Sequence, residues 1–136
     1  MLSRLIYSSE PAQALDDQQV MAILATARRN NERDDITGML VFDSTAFLQV
    51  IEGDREKLSK LYAALVLDTR HHKLTILGMG PIDEREFSSW QMGFAAAHTG
   101  HRALFLKHST SSRFEPHRMT ASAALALVKD LAPAAS

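Results

Sequence analysis

Residues 36–52 read ITGMLVFDSTAFLQVIE. Ile36–Phe42 is an apolar run, Asp43-Ser44-Thr45 is a short polar connection, and Phe47–Glu52 is a second apolar run. Two such runs around a short polar break predict a β-hairpin. What flanks the hairpin decides the fold. Upstream, Asp16 stands at a helix N-cap with Gln19 at the reciprocal capping-box position. Val20, Ile23, Leu24 and Ala27 then recur at helical spacing, and the stripe runs into Arg28-Arg29-Asn30-Asn31, where the helix is expected to end. Downstream, Gly53-Asp54 opens a second helix with Leu58, Leu61, Tyr62, Leu65 and Val66 on its apolar face.

Working outward, Leu2–Ser8 predicts a strand with Leu5 and Tyr7 on one face and Arg4 and Ile6 on the other. Pro11 starts a loop. Asp68–Lys73 is a charged connection, and Leu74–Met79 predicts a strand stopped by Gly80-Pro81. Asp83–Ser89 is polar, with room for a helical turn. Trp90–Ala95 predicts a fifth strand on which Trp90 and Met92 share a face. The order is a split β-α-β: an α+β, ferredoxin-like β-α-β-β-α-β(-β) mixed sheet with two helices on one face. Beyond Ala97 the pattern changes. His98–His117 is polar and irregular around an apolar Leu104–Leu106, and Thr120–Leu131 predicts a helix with Leu125, Val128 and Leu131 on one face. The final Pro-Ala-Ala-Ser is expected to fray. The expected division is a domain over 1–97 and a helical extension over 98–136, capping the sheet or forming a partner or oligomer surface.

Composition bounds the function. The chain has 136 residues, 46% hydrophobic and 23% charged, an ordinary globular mixture of one-domain size. Fifteen Lys and Arg against sixteen Asp and Glu leave a net charge of −1, which argues against a general nucleic-acid binder or a polybasic membrane anchor. The absence of cysteine removes disulfides, thiol nucleophiles and thiolate metal sites. No apolar run approaches the ~18 residues of a membrane span, and no signal peptide is evident, so a cytoplasmic protein is expected.

Individual residues leave two readings open. Gln49 interrupts the apolar third strand. It either faces solvent or presents its donors and acceptor to a ligand edge, since an unpaired buried amide costs about 1–3 kcal/mol. Tyr7, mid-strand, is a core aromatic or a phenol beside a ligand. Asn30 and Asn31 are helix-end caps or contacts to a heterocycle. Asp68 and Arg70 form a surface ion pair, or Arg70 with His71 and His72 approaches a phosphate. Trp90 and Met92 are core residues or cofactor contacts. His98 and His101 lack a carboxylate that would complete a metal triad, so no metal site is expected. No nucleophile elbow or glycine-rich phosphate loop is present.

Taken together, the segments RLIYSS (4–9), RNN (29–31), ITGML (36–40), FLQVIEG (47–53), DTRHH (68–72) and FSSWQM (87–92) resemble, in order and spacing, the BLUF domain, the blue-light sensor that uses a flavin. The resemblance covers Leu2 to about Ala97 and implies the same fold. It implies noncovalent FAD between the two helices, leaving FMN and riboflavin open as substitutes, with Ile23 and Leu65 sandwiching the ring. Asn31 would bind its pyrimidine side, with Asn30, Asp68, Arg70 and His71 at other contacts. Ala64 departs from members that carry a polar or basic residue there, which removes one flavin contact. The resemblance further implies that Tyr7 gives an electron and a proton to the excited flavin and that the Gln49 amide rearranges. A reversible red-shifted state follows, relayed through Trp90 and Met92 and the sheet. It implies a photoreceptor rather than an enzyme, signalling to an unidentified downstream protein and forming a homo-oligomer. The alternative is a flavin-binding redox sensor or oxidoreductase on the same fold.

Overall fold

A computed structural model describes all 136 residues. Nine main elements follow one another: β1 (Leu2–Pro11), α1 (Asp17–Asp34), β2 (Thr37–Phe42), β3 (Phe47–Asp54), α2 (Arg55–Val66), β4 (His71–Pro81), β5 (Gly93–Ala96), α3 (Arg102–His108) and α4 (Ala121–Leu131). The five strands form one sheet in the order β4-β1-β3-β2-β5. All neighbours are antiparallel except β2 and β5. The first four strands with α1 and α2 are the split β-α-β arrangement, and β5 adds the parallel edge.

Local chemistry accounts for the boundaries. The Asp16 carboxylate accepts from the Gln19 amide at 2.8 Å, and the Gln19 side chain accepts from the Asp16 amide at 2.9 Å, closing the capping box. α1 runs past its expected end to Asp34, because Asn30 and Asn31 stay helical. Asp35 stops it in the left-handed region at φ 55°. β4 starts three residues earlier than its apolar run, since an edge strand tolerates the charged and polar His71-His72-Lys73. Asp83–Ser89 forms bends and a turn rather than a helix. At Gly38 any side chain would collide with the Val50 carbonyl, so the β2–β3 ladder closes only around glycine.

The sheet separates two cores. Leu5, Tyr7, Leu40, Ile51 and Met92 pack with Leu24 of α1 and Leu58 of α2. On the other face, Ile6, Met39, Val41, Leu48 and Val50 pack with Phe105 of α3 and Ala124, Leu127, Val128 and Leu131 of α4. Period-two alternation along β1 thus feeds both layers. The segment expected to be irregular contains α3. The stripe of α4 is centred on Leu127 and Val128, with Leu125 only half-buried. The last residues do not fray: Ser136 exchanges two 3.0 Å backbone hydrogen bonds with Phe94 and covers the free edge of β5. No helix is long and apolar enough to cross a membrane.

Candidate functional site

A cavity of about 150 Å³ lies between α1, α2 and the sheet. Tyr7, Ile23, Asn30, Asn31, Gln49, Leu65, Asp68, Arg70 and His71 all line it, with Met92. Residues scattered over more than sixty positions thus converge on one place. Ile23 on α1 and Leu65 on α2 stand at opposite apolar walls. Ser9, Thr26, Ala27, Leu40, Phe47 and Leu61 complete the lining. Their signal was only that they lie on the same strand faces or helix stripes as the singled-out residues.

The floor is a hydrogen-bonded chain. Tyr7 and Gln49 are direct cross-strand partners of β1 and β3. The Tyr7 hydroxyl donates to Gln49 Oε1. Gln49 Nε2 donates to Met92 Sδ at 3.4 Å. Tyr7 is 3% exposed, and its ring meets Tyr62 edge-on at 5.9 Å. Burial, with smaller effects from Tyr62 and Asp68, pushes its hydroxyl well above the ordinary tyrosine range, so it stays a neutral donor. Gln49 is half-buried, and its amide is met by side chains rather than by the backbone. Both ends of its amide are engaged by side chains that either orientation could serve differently.

The rim is polar. Asn31, 2% exposed, donates from Nδ2 to the Gln91 carbonyl at 2.6 Å, while its Oδ1 has no protein donor. Arg70 donates to both Asp68 oxygens, the shortest contact being 2.6 Å. Those hydrogen bonds hold the Asp68 carboxyl down at about 2. His71 bridges Ser9 Oγ at 3.0 Å and the Leu65 carbonyl at 2.8 Å. The carbonyl can only accept, so Nε2 carries a proton. Ala64 is exposed on α2 and does not line the cavity. Two apolar walls, an amide floor and a polar rim fit a flat heterocycle with hydrogen-bonding edges.

One expectation is corrected. Trp90 and Met92 precede β5 and do not share a face. Met92 is 2% exposed and sits in the cavity-side core, whereas Trp90 packs against the opposite core and does not line the cavity. The Trp90 carbonyl accepts from the Gly38 amide at 2.9 Å, which anchors the turn. At Gly93 a side chain would collide with Met39 Sδ and crowd the Trp90 ring, so the chain enters β5 there only as glycine.

A buried carboxylate missed at the sequence level holds this loop. Glu52 is 0% exposed. Its Oε2 accepts from Arg4 Nε at 3.0 Å and Nη2 at 2.8 Å. It also accepts from the amides of Glu86 and Phe87, the latter at 2.9 Å. Its position at the end of an apolar strand gave no sign of burial. Only the cross-strand pairing with Arg4 explains it.

A family model described as BLUF, sensors of blue-light using FAD, matches residues 2–93. The chain is 39% identical over 98 residues to photoactivated adenylate cyclase subunit alpha of Euglena gracilis, covering 67% of this chain and 9% of that protein. It is 32% identical over 77 residues to the blue light- and temperature-regulated antirepressor BluF of Escherichia coli K12, covering 57% of this chain and 19% of that one. The structure of BlsA in its photo-activated state superposes with a TM-score of 0.87 at 28% identity, over 96% of this chain and 94% of that one. The chain thus spans a small part of the curated relatives it matches, while its extension has a counterpart in BlsA.

Proposed function

The chain belongs to the BLUF family of blue-light sensors using FAD, and from that premise we propose that Tyr7, Gln49 and Met92 are its photoactive switch. It carries a blue-light-sensing flavin domain, which is a sensor and not an enzyme. We place FAD in the cavity. Ile23 and Leu65 would hold the ring, Asn31 Oδ1 would accept from its edge, and Arg70 would meet the phosphates, with Asn30, Asp68 and His71 around it. A bound flavin supplies the light absorption and, excited, takes an electron.

The protein's part follows from the amide. Tyr7 gives up an electron and its hydroxyl proton, then regains both. While the proton is away, Gln49 Oε1 has lost its donor and the barrier to turning the amide falls. A half-turn puts Oε1 where Nε2 stood. Met92 Sδ then faces an acceptor instead of a donor. The new strain falls on Met92, and a flavin held here would meet a changed hydrogen-bond field without net reduction. Trp90 receives the change through the two intervening peptide units and passes it to the far core. Residues 1–97 would sense, and 98–136 would carry the output to a downstream protein, as a homo-oligomer.

The observation that carries this reading is the Tyr7–Gln49–Met92 chain in the cavity floor. The test is an absorption spectrum of the FAD-loaded protein in darkness, under blue light and after return to darkness. A small, fully reversible red shift is expected. A bleached flavin would instead indicate net reduction and favour redox chemistry.

A further inference from the structure

Arg28 lies on α1, outside the cavity lining, and is half-buried. Its Nε donates to the Met92 carbonyl at 2.8 Å. Its Nη2 donates to the Ser136 carbonyl at 2.9 Å. Ser136 in turn pairs with Phe94, whose amide donates to the Ser136 backbone oxygen at 3.0 Å. One rigid guanidinium fork therefore joins the residue that contacts the Gln49 amide to the segment closing the edge of β5.

We propose that Arg28 is a positioning residue that couples the photoactive amide to segment 132–136, and that light releases this segment from β5. The proposal rests on the Tyr7–Gln49–Met92 switch. When the amide turns, Met92 loses its donor and shifts. Its carbonyl moves against a fork whose two donors are fixed relative to each other. Both carbonyls cannot then be met. The buried side holds, because Met92 is 2% exposed, and the contact to exposed Ser136 gives way. Leu131, 3% exposed, anchors the chain before the segment, so release is confined to the residues after it.

The test uses the full FAD-loaded chain and two probes. Exchange of the Phe94 amide hydrogen reports docking directly. A nitroxide on Ala134→Cys, unique because the chain has no cysteine, reports mobility at an exposed position. Under continuous blue light, Phe94 exchange is expected to quicken by about 5- to 150-fold, the usual range of coupling between two sites, and the label to become mobile. Arg28→Ala is expected to keep flavin and the red shift while Phe94 exchanges fast in darkness and light alike. Arg28→Lys keeps the charge without the fork and is expected to behave like Arg28→Ala. A wild-type red shift with unchanged Phe94 exchange would overturn the coupling and leave the switch standing. So would a light response that survives Arg28→Ala. A wild type that binds flavin without any red shift would overturn the switch itself, and the coupling with it.

Discussion

Tyr7 and Gln49 face each other across the β1–β3 ladder, and the phenol donates to the amide oxygen. Gln49→Leu removes both ends of the amide while keeping a side chain of similar reach. The variant is expected to bind flavin and to lose the light-induced red shift. Tyr7→Phe is expected to abolish it too, since the hydroxyl proton is gone, and to destabilise the fold by about 1 kcal/mol through loss of the hydrogen bond to Gln49 Oε1. Absorption difference spectra check the first effect and denaturant titration the second. A normal shift in Gln49→Leu would remove the amide from the switch.

Asn31→Ala deletes the 2.6 Å bond to the Gln91 carbonyl and the free Oδ1 beside the cavity. Flavin occupancy after purification and dialysis is expected to fall. Because Gln91 adjoins Met92, the remaining bound fraction should recover in darkness at a changed rate. Unchanged occupancy would take Asn31 out of the binding set.

Glu52→Ala leaves Arg4 without its carboxylate and the Glu86 and Phe87 amides without an acceptor. Breaking a buried ion pair from one side costs about 3–5 kcal/mol. A loss of that size in chemical denaturation is expected. Since this loop delivers Met92, the surviving folded protein should also show a weakened photocycle.

The Asp68 carboxyl lies below its ordinary 3.8, at about 2, because Arg70 hydrogen-bonds its charged form. A lowered folded value means that the stabilisation is present above the unfolded value and is lost as pH falls toward the folded one. The unfolding free energies of wild type and Asp68→Asn, from denaturant titrations, should therefore differ by a constant amount from about pH 5 to about pH 8. The two curves should converge as the pH falls from 3.8 toward about 2. Arg70 is 56% exposed at its side chain, so salt should shrink the difference.

Much of this was legible in the residues. The hairpin at 36–52, the capping box at Asp16 and the two apolar stripes gave the order of elements along the chain and the placing of two helices on one face. The singled-out residues of β1, β3, α1 and α2 converge on one pocket because alternation and helical period put them on inward faces, and the connection after α2 brings Asp68 and Arg70 to its rim. What was not legible depended on tertiary context. An alternation of Trp90, Gln91 and Met92 looks like a strand, but β5 begins at Gly93 and the preceding turn sends the two large side chains to opposite cores. Glu52 looked like a strand terminus because its burial depends on Arg4, forty-eight residues away. The early start of β4 and the docking of Ser136 both belong to sheet edges, where sequence period says little.

Trp90 and Met92 stand two residues apart with the sheet between their side chains. The wall they straddle is a single backbone layer, and packed layers lie only about 10 Å apart. A message from the flavin side therefore needs no lever, hinge or long relay to leave the sensor. It needs only to pass around one strand end. Whatever covers the far face sits within reach of Trp90, whether two short helices or a larger appendage. No residue beyond Met92 lines the cavity, so a different cover on the far face would leave the lining of the cavity as it is.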